Sequence, residues 1–202
     1  MTEPDRYFTP EELAGMGFKH IGRDVHIART ARLYAPAYMS IGDRCIIDDY
    51  CVVSGAIEMG DNVHLAHACT VVAGREGIVF GDYSGLAFNV CLFAQSDDYT
   101  GAALTNPTVP MALRRIRRGR ITLGRHVIVG TRAVVFPGVD LAEGCAVGAM
   151  SVVMRATEPW SIYSGNPATR LRSRKKEVLA LEARHRAEFL NLQDTAHASR
   201  PS

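Results

Sequence analysis

An all-β solenoid is the fold class that this chain of 202 residues predicts, and three observations carry it. Aliphatic residues recur six apart in triplets, a Gly or Ala often follows each of them directly, and the triplets restart at Ile41 and Met59 and again at Leu123 and Leu141, each time 18 residues on. A period of six fits neither an amphipathic helix at 3.6 nor a plain alternating strand. It suits a parallel β-helix in which three six-residue sides make one coil, with coils about 4.8 Å apart through parallel strand pairing.

The elements follow in order. Residues 1–20 form a helical cap: Thr9-Pro10-Glu11-Glu12 is a capping box with Pro at the first helical position, and Phe8 can staple onto Leu13. Residues 21–170 form a β-helix of about six coils, opening at Ile21, Ile27 and Leu33. It continues through Ile41, Ile47, Val53; Met59, Leu65, Val71; Phe80, Leu86, Leu92; Leu123, Val129, Val135; and Leu141, Val147, Val153. Between Met59 and Phe80 the step is three residues longer than a coil, and between Phe80 and Leu123 it is 25 residues longer. The second insertion leaves the coil as a loop over 98–120, and so long a loop in a compact domain commonly carries function. Residues 171–202 form an amphipathic helix and tail, with Val178, Leu179, Leu181, Phe189 and Leu190 on its apolar side.

The fourth position after each aliphatic residue is small or β-branched and also points inward. Cys45, Cys51, Cys69, Cys145 and Ser84 fall in that stack, which makes them core residues rather than ligands or nucleophiles. Cys91 falls one position later and turns outward.

Composition excludes several classes. Hydrophobic residues at 47% and charged residues at 22% are globular values. A net charge of +2 does not argue for nucleic acid, and no reader motif accompanies the basic runs. No apolar run approaches 18 residues, and Glu3, Asp5 and Arg6 stand where a signal peptide would begin, so a cytoplasmic protein without membrane insertion is expected. Five Cys, an odd count, fit reduced thiols.

The repeat, its ending Gly144-Cys145-Ala146-Val147-Gly148-Ala149-Met150-Ser151-Val152-Val153 and the following Tyr163-Ser164-Gly165-Asn166-Pro167-Ala168 resemble the hexapeptide-repeat acyltransferases. That resemblance implies a left-handed parallel β-helix, acyl-CoA as cosubstrate, no metal, and a homotrimer with active sites between subunits. Ser96-Asp97-Asp98-Tyr99-Thr100-Gly101 with Leu104-Thr105-Asn106-Pro107 is similar to sugar acyltransferases of surface-polysaccharide pathways that N-acylate a nucleotide-linked 4-amino-6-deoxy sugar. In the related O-acetyltransferase branch a His serves as general base where this sequence has Asp97, and the loop contains no His.

These considerations nominate the site. Asp97 and Asp98, adjacent carboxylates at the loop's start, are catalytic candidates with His67 in reserve. His64, Asn89, Tyr99, Arg115 and Arg117 are substrate-binding candidates. The resemblance places pantetheine along Gly130, Thr131, Ala149 and Ser151 and adenine near Gly165, Asn166, Pro167 and Ala168, with Arg170 and Lys175 as phosphate partners. Ten of the 23 Lys and Arg residues lie in two seven-residue stretches, 114–120 and 170–176, and Arg grips phosphate bidentately. His64 and His67 are three apart, and γ-type carbonic anhydrases of this fold hold zinc with three His. A third ligand is not evident, because His126 stands at another phase of the hexad. Tyr50, Phe88 and Phe93 are expected on a subunit face. The alternatives are a sugar O-acetyltransferase and, in a third class, a non-catalytic scaffold or metal hydratase.

Overall fold

The structure, a computed structural model, describes residues 6–198, with side chains described through Glu188. Helix α1 spans Pro10–Gly15. Thr9 Oγ1 accepts from the Glu12 N–H at 3.3 Å and the Glu12 carboxylate accepts from the Thr9 N–H at 2.7 Å, closing the capping box. Leu13 is the helix residue that enters the core, and Phe8 packs against that core.

Short parallel strands then stack into a left-handed solenoid. On one face His26–Ile27, Ile46–Ile47, His64–Leu65, Gly85–Leu86, Ile128–Val129, Ala146–Val147 and Ser161–Gly165 pair in succession. About six coils were expected, and the structure has seven rungs on this face. The seventh escapes the aliphatic pattern because Tyr163 continues the column over Val147.

Both inward stacks are realised. The aliphatic columns are buried apart from the half-buried Ile21 and Leu33, and the small residues between them, from Val25 through Cys69 and Ser84 to Ser151, are buried throughout. Full burial of an aliphatic side chain contributes about 1.5–3 kcal/mol, so the repeat itself supplies the driving force. Burial also raises the Cys45 thiol to about 11, far from a reactive thiolate.

The first insertion is a bulge. The strands Val52–Met59 and Thr70–Phe80 bend round one corner, and their register offset grows from 18 residues at Ser54↔Val72 to 21 at Ile57↔Ile78. Gly55 faces Gly74 there with φ +89°, and a Cβ on it would stand 2.4 Å from the Gly74 carbonyl oxygen, so only Gly fits. Arg75 and Glu76 project outward from the extra residues.

The second insertion leaves on a two-stranded antiparallel ribbon, Gln95–Asp97 with Ile116–Arg118. Departure is thus at 95 and return at 118, and the Gly119 N–H donates to the Ala94 carbonyl at 3.0 Å where the coil closes.

The C-terminal region differs from expectation. Leu171 lies not in a helix but in the strand Ala168–Ser173, which forms a hairpin with Ser161–Gly165. Helix α2 spans Val178–Ala198. Among its described side chains Leu179 and Leu181 are exposed whereas Glu182 is buried, so this part of the helix docks by a carboxylate rather than an apolar stripe. Glu182 binds His126 Nε2 at 2.7 Å and Arg186 Nε at 2.7 Å, and it also pairs with Arg125. Burial alone would raise this carboxyl, but the donors outweigh it and hold it down at about 2. Phe189 and Leu190 lie outside the described side chains. Among the described residues no helix is long and apolar enough to cross a membrane.

Candidate active site

The ribbon brings five of the nominated residues to one cavity. Asp97, Asp98, Tyr99, Arg115 and Arg117 line a space of about 560 Å³ together with Ile116, Phe136 and Met154. Phe136 and Met154 follow the inward Val135 and Val153 and therefore point out of the coil beneath the loop. The result is an apolar floor with carboxylates and guanidiniums at its rim.

The two carboxylates differ. Asp97 Oδ1 accepts from Arg114 Nη2 at 2.9 Å and its Oδ2 accepts from the Asn106 N–H at 3.0 Å. The Arg114 guanidinium, aided by the Asn106 N–H, holds the carboxyl below the usual range, so Asp97 is an ionised hydrogen-bond acceptor at neutral pH. Each of its oxygens keeps a lone pair for a further donor. Asp98 is a turn former: its oxygens accept from the Thr100 N–H at 3.0 Å and the Thr100 hydroxyl at 2.9 Å, and these bonds lower its pKa.

His64, His67 and Asn89 stand on another edge of the solenoid. By register, Asp49, His67, Phe88, Thr131 and Ala149 follow the paired Ile47, Leu65, Leu86, Val129 and Val147 by two residues, so they line one corner. Asp97 belongs to the corner that follows the next strand. His67 stacks on Phe88 with ring centroids 5.5 Å apart. Asn89 occupies a left-handed corner position at φ 59°, which Asn tolerates, and its N–H donates to the His67 carbonyl. Asp48, Asp49 and His67 are grouped closely enough to suggest a metal site. A cation already holds them together: Arg6 reaches Asp48 at 2.9 Å, Asp49 at 2.8 Å and His67 Nε2 at 3.1 Å, while His64 Nε2 is 2.8 Å from Asp48. A single internal guanidinium already engages all three groups, so the cluster is an ion-pair network built around Arg6 rather than a set of converging zinc ligands.

The residues nominated for coenzyme divide likewise. Thr131 and Ala149 are accessible at that second corner. Gly130 is required by coil stacking, since a Cβ would stand 2.5 Å from the Ala149 nitrogen. The Ser151 hydroxyl is fully buried and accepts from the Gly165 N–H at 3.1 Å, so the side chain braces the hairpin turn and only the Ser151 backbone is left for the coenzyme role. Gly165, Asn166, Pro167 and Ala168 form that turn. Arg170 is engaged by Ser161 at 3.1 Å and Glu158 at 3.0 Å. The side chain of Lys175 is 89% exposed, 3.6 Å from Glu177.

Reasoning from sequence overlooked Arg114 as the partner of Asp97 and missed Phe136 and Met154. The signal for the last two was present, because a large apolar residue directly after an inward aliphatic one must face outward.

No protein-family model matches the chain. It is 35% identical over 180 residues to the dTDP-4-amino-4,6-dideoxy-D-glucose acyltransferase of Escherichia coli, covering 88% of this chain and 93% of the relative. The putative lipopolysaccharide biosynthesis O-acetyl transferase WbbJ of Escherichia coli K12 matches less, at 27% over 57% of this chain. Among solved structures, the N-acyltransferase AntD from Bacillus cereus, crystallised with dTDP and 3-hydroxybutyryl-CoA, superposes with a TM-score of 0.88 at 35% identity, over 94% of this chain and 99% of that one. A single-serine variant of AntD holding dTDP-4-amino-4,6-dideoxyglucose and coenzyme A superposes equally well, at 0.88. The agreement of repeat, ribbon and near-full-length similarity leads to one conclusion: the chain belongs to the left-handed β-helix N-acyltransferases, acyl-CoA-dependent enzymes that acylate the amine of a nucleotide-linked amino sugar.

Proposed function

We propose that the acceptor is a dTDP-linked 4-amino-4,6-dideoxyhexose destined for a surface polysaccharide, and that Asp97 holds its amine for attack in the cavity beneath the ribbon. The observation that carries this reading is the ionised Asp97, fixed by Arg114 and Asn106 over an apolar floor. The cavity suits an acyl thioester: Phe136, Met154 and Ile116 offer apolar contact to the acyl and pantetheine chain, and Arg115 and Arg117 stand nearby for phosphate.

A carboxylate held below its usual range by Arg114 is a poor base for a sugar hydroxyl, whereas a neutral amine needs only to be held against the thioester carbon. An N–H of the amine donates to Asp97 while the nitrogen lone pair attacks. The N–C bond forms, the C–S bond breaks, and the departing thiolate, similar in acidity to a Cys thiol near 8.5, takes up the amine proton. A backbone N–H of a late coil stabilises the oxyanion.

The separation of the Asp97 corner from the Thr131 and Ala149 corner supports a homotrimer with sites between subunits, since a ligand that touches both must bridge two chains. Tyr50 is 68% exposed and Phe88 52%, large apolar surfaces that a neighbour would cover, while Phe93 is partly buried in its own chain. Light scattering should return about 66 kDa, three times the 22.0 kDa chain. A cytoplasmic setting suits both substrates.

Asp97→Asn keeps an acceptor oxygen but loses the charge. It should lower kcat/KM for the amino sugar at least tenfold with CoA affinity unchanged. An enzyme indifferent to Asp97→Asn but abolished by His67→Ala would reverse the assignment.

A further inference from the structure

Asn106 is the one residue other than Gly in the inserted loop with a left-handed backbone, at φ 68°. Most of the other left-handed residues stand at coil corners, from Asp24 to Trp160, where the same turn recurs rung after rung. Solenoid geometry does not call for one in the loop. We infer that Asn106 is a positioning residue for the acceptor amine: it acts through Asp97, and its left-handed conformation, held by Thr108, aims the Asn106 N–H at the carboxylate. This rests on the reading of Asp97 as the group that holds the amine and adds what fixes its second oxygen.

Connectivity is the first ground. The loop contains a smaller closed unit, whose neck is the Leu104 N–H donating to the Leu113 carbonyl at 2.9 Å and the bridge between Leu104 and Arg114. Both donors to Asp97 leave from that neck, the Arg114 guanidinium on one side and the Asn106 N–H, just past Leu104, on the other. They reach different oxygens, so the carboxylate cannot turn about its Cβ–Cγ bond without breaking one of the two bonds. Leu104 and Leu113 are exposed, so the neck is held by its backbone bonds and by Asp97 rather than by the core.

Conformation is the second. Asn106 Oδ1 accepts from the Thr108 N–H at 3.0 Å and from the Thr108 hydroxyl. Asn106 is exposed, so these bonds serve the backbone turn and not packing. Asn tolerates the left-handed region because its short polar side chain bonds locally, whereas an Ala there meets the clash of Cβ with the following carbonyl. Pro107 closes the other way out, since the residue before Pro is kept from the right-handed helical region. A residue 106 without the Thr108 bonds relaxes toward extended backbone, and its N–H turns away from Asp97.

The chemistry is the third. The amine must keep its lone pair on the thioester carbon while an N–H donates to Asp97, and a carboxylate that swings holds the nitrogen at many angles. Losing the Asn106 bond therefore acts on kcat more than on binding.

The test is steady-state kinetics of the full-length protein with dTDP-4-amino-4,6-dideoxyglucose and acetyl-CoA. Asn106→Ala should lower kcat about tenfold, with KM for the amino sugar and CoA affinity within about twofold, the retained CoA binding serving as the control for folding. Asn106→Gly should recover most of the loss, because Gly enters the left-handed region freely. Thr108→Val, which keeps the N–H and removes the hydroxyl, should lose about threefold. In an Asp97→Asn background Asn106→Ala should cost less than about twofold more, since the two substitutions remove one arrangement. An Asn106→Ala enzyme with wild-type kcat, an equal loss in Asn106→Gly, or the full tenfold loss repeated on top of Asp97→Asn would make Asn106 a loop former only, while the Asp97 reading stands. If Asp97→Asn alone changes nothing, that reading fails and the role of Asn106 with it.

Discussion

Arg114 Nη2 lies 2.9 Å from Asp97 Oδ1, a pairing across the mouth of the inserted loop that fixes both the charge and the direction of the carboxylate nominated to hold the acceptor amine. The Arg114 side chain is itself largely buried, 14% exposed, so it is a rigid anchor.

Arg114→Gln should therefore reduce kcat/KM for the amino sugar by about an order of magnitude and leave CoA affinity unchanged. Arg114→Lys should recover part of the loss, since it restores the charge without the fork. Equal loss in both variants, with a lowered melting temperature, would make Arg114 a brace of the loop and nothing more.

Glu182 predicts a pH-dependent stability. Its carboxyl is depressed to about 2 in the folded protein against about 4.3 unfolded. The sign follows: its contribution is complete above the unfolded value and disappears as pH falls through the folded value. Glu182→Gln should destabilise the protein by about 3 kcal/mol near neutral pH, because it leaves Arg125 and Arg186 without their buried partner. Denaturant titration should show the gap between variant and wild type closing between about pH 5 and pH 2. A gap independent of pH would mean that the pairing does not bind helix α2.

Gly130 separates packing from ligand contact. A Cβ 2.5 Å from the Ala149 nitrogen must spread two coils, so Gly130→Ala should lower the melting temperature whether or not CoA is present. Unchanged melting with weakened CoA binding would return Gly130 to the coenzyme groove.

Legibility followed the reach of the interactions. The columns from Ile27 to Val147 are spaced by the coil itself, so periodicity exposes them directly. Tyr163 broke the pattern and hid a rung, and Leu171 sat among charges that read equally well as a helix or as the exposed strand that formed. Asp97 was found because the inserted loop begins there. Its partner Arg114, 17 residues away, was one of five arginines in a run, and only the ribbon decides which one reaches it. Arg6 shows the same limit: 42 residues from Asp48, it bridges a cluster that the spacing of His64 and His67 made resemble a metal site.

The most direct test is the rate of thiol release from acetyl-CoA with dTDP-4-amino-4,6-dideoxyglucose, set against the same nucleotide sugar bearing a hydroxyl at C4. The amine should be acylated at least a hundredfold faster, the low end of what a general base would have to supply for the hydroxyl. Equal rates for the two acceptors would contradict an enzyme built around an ionised Asp97 and an amine nucleophile.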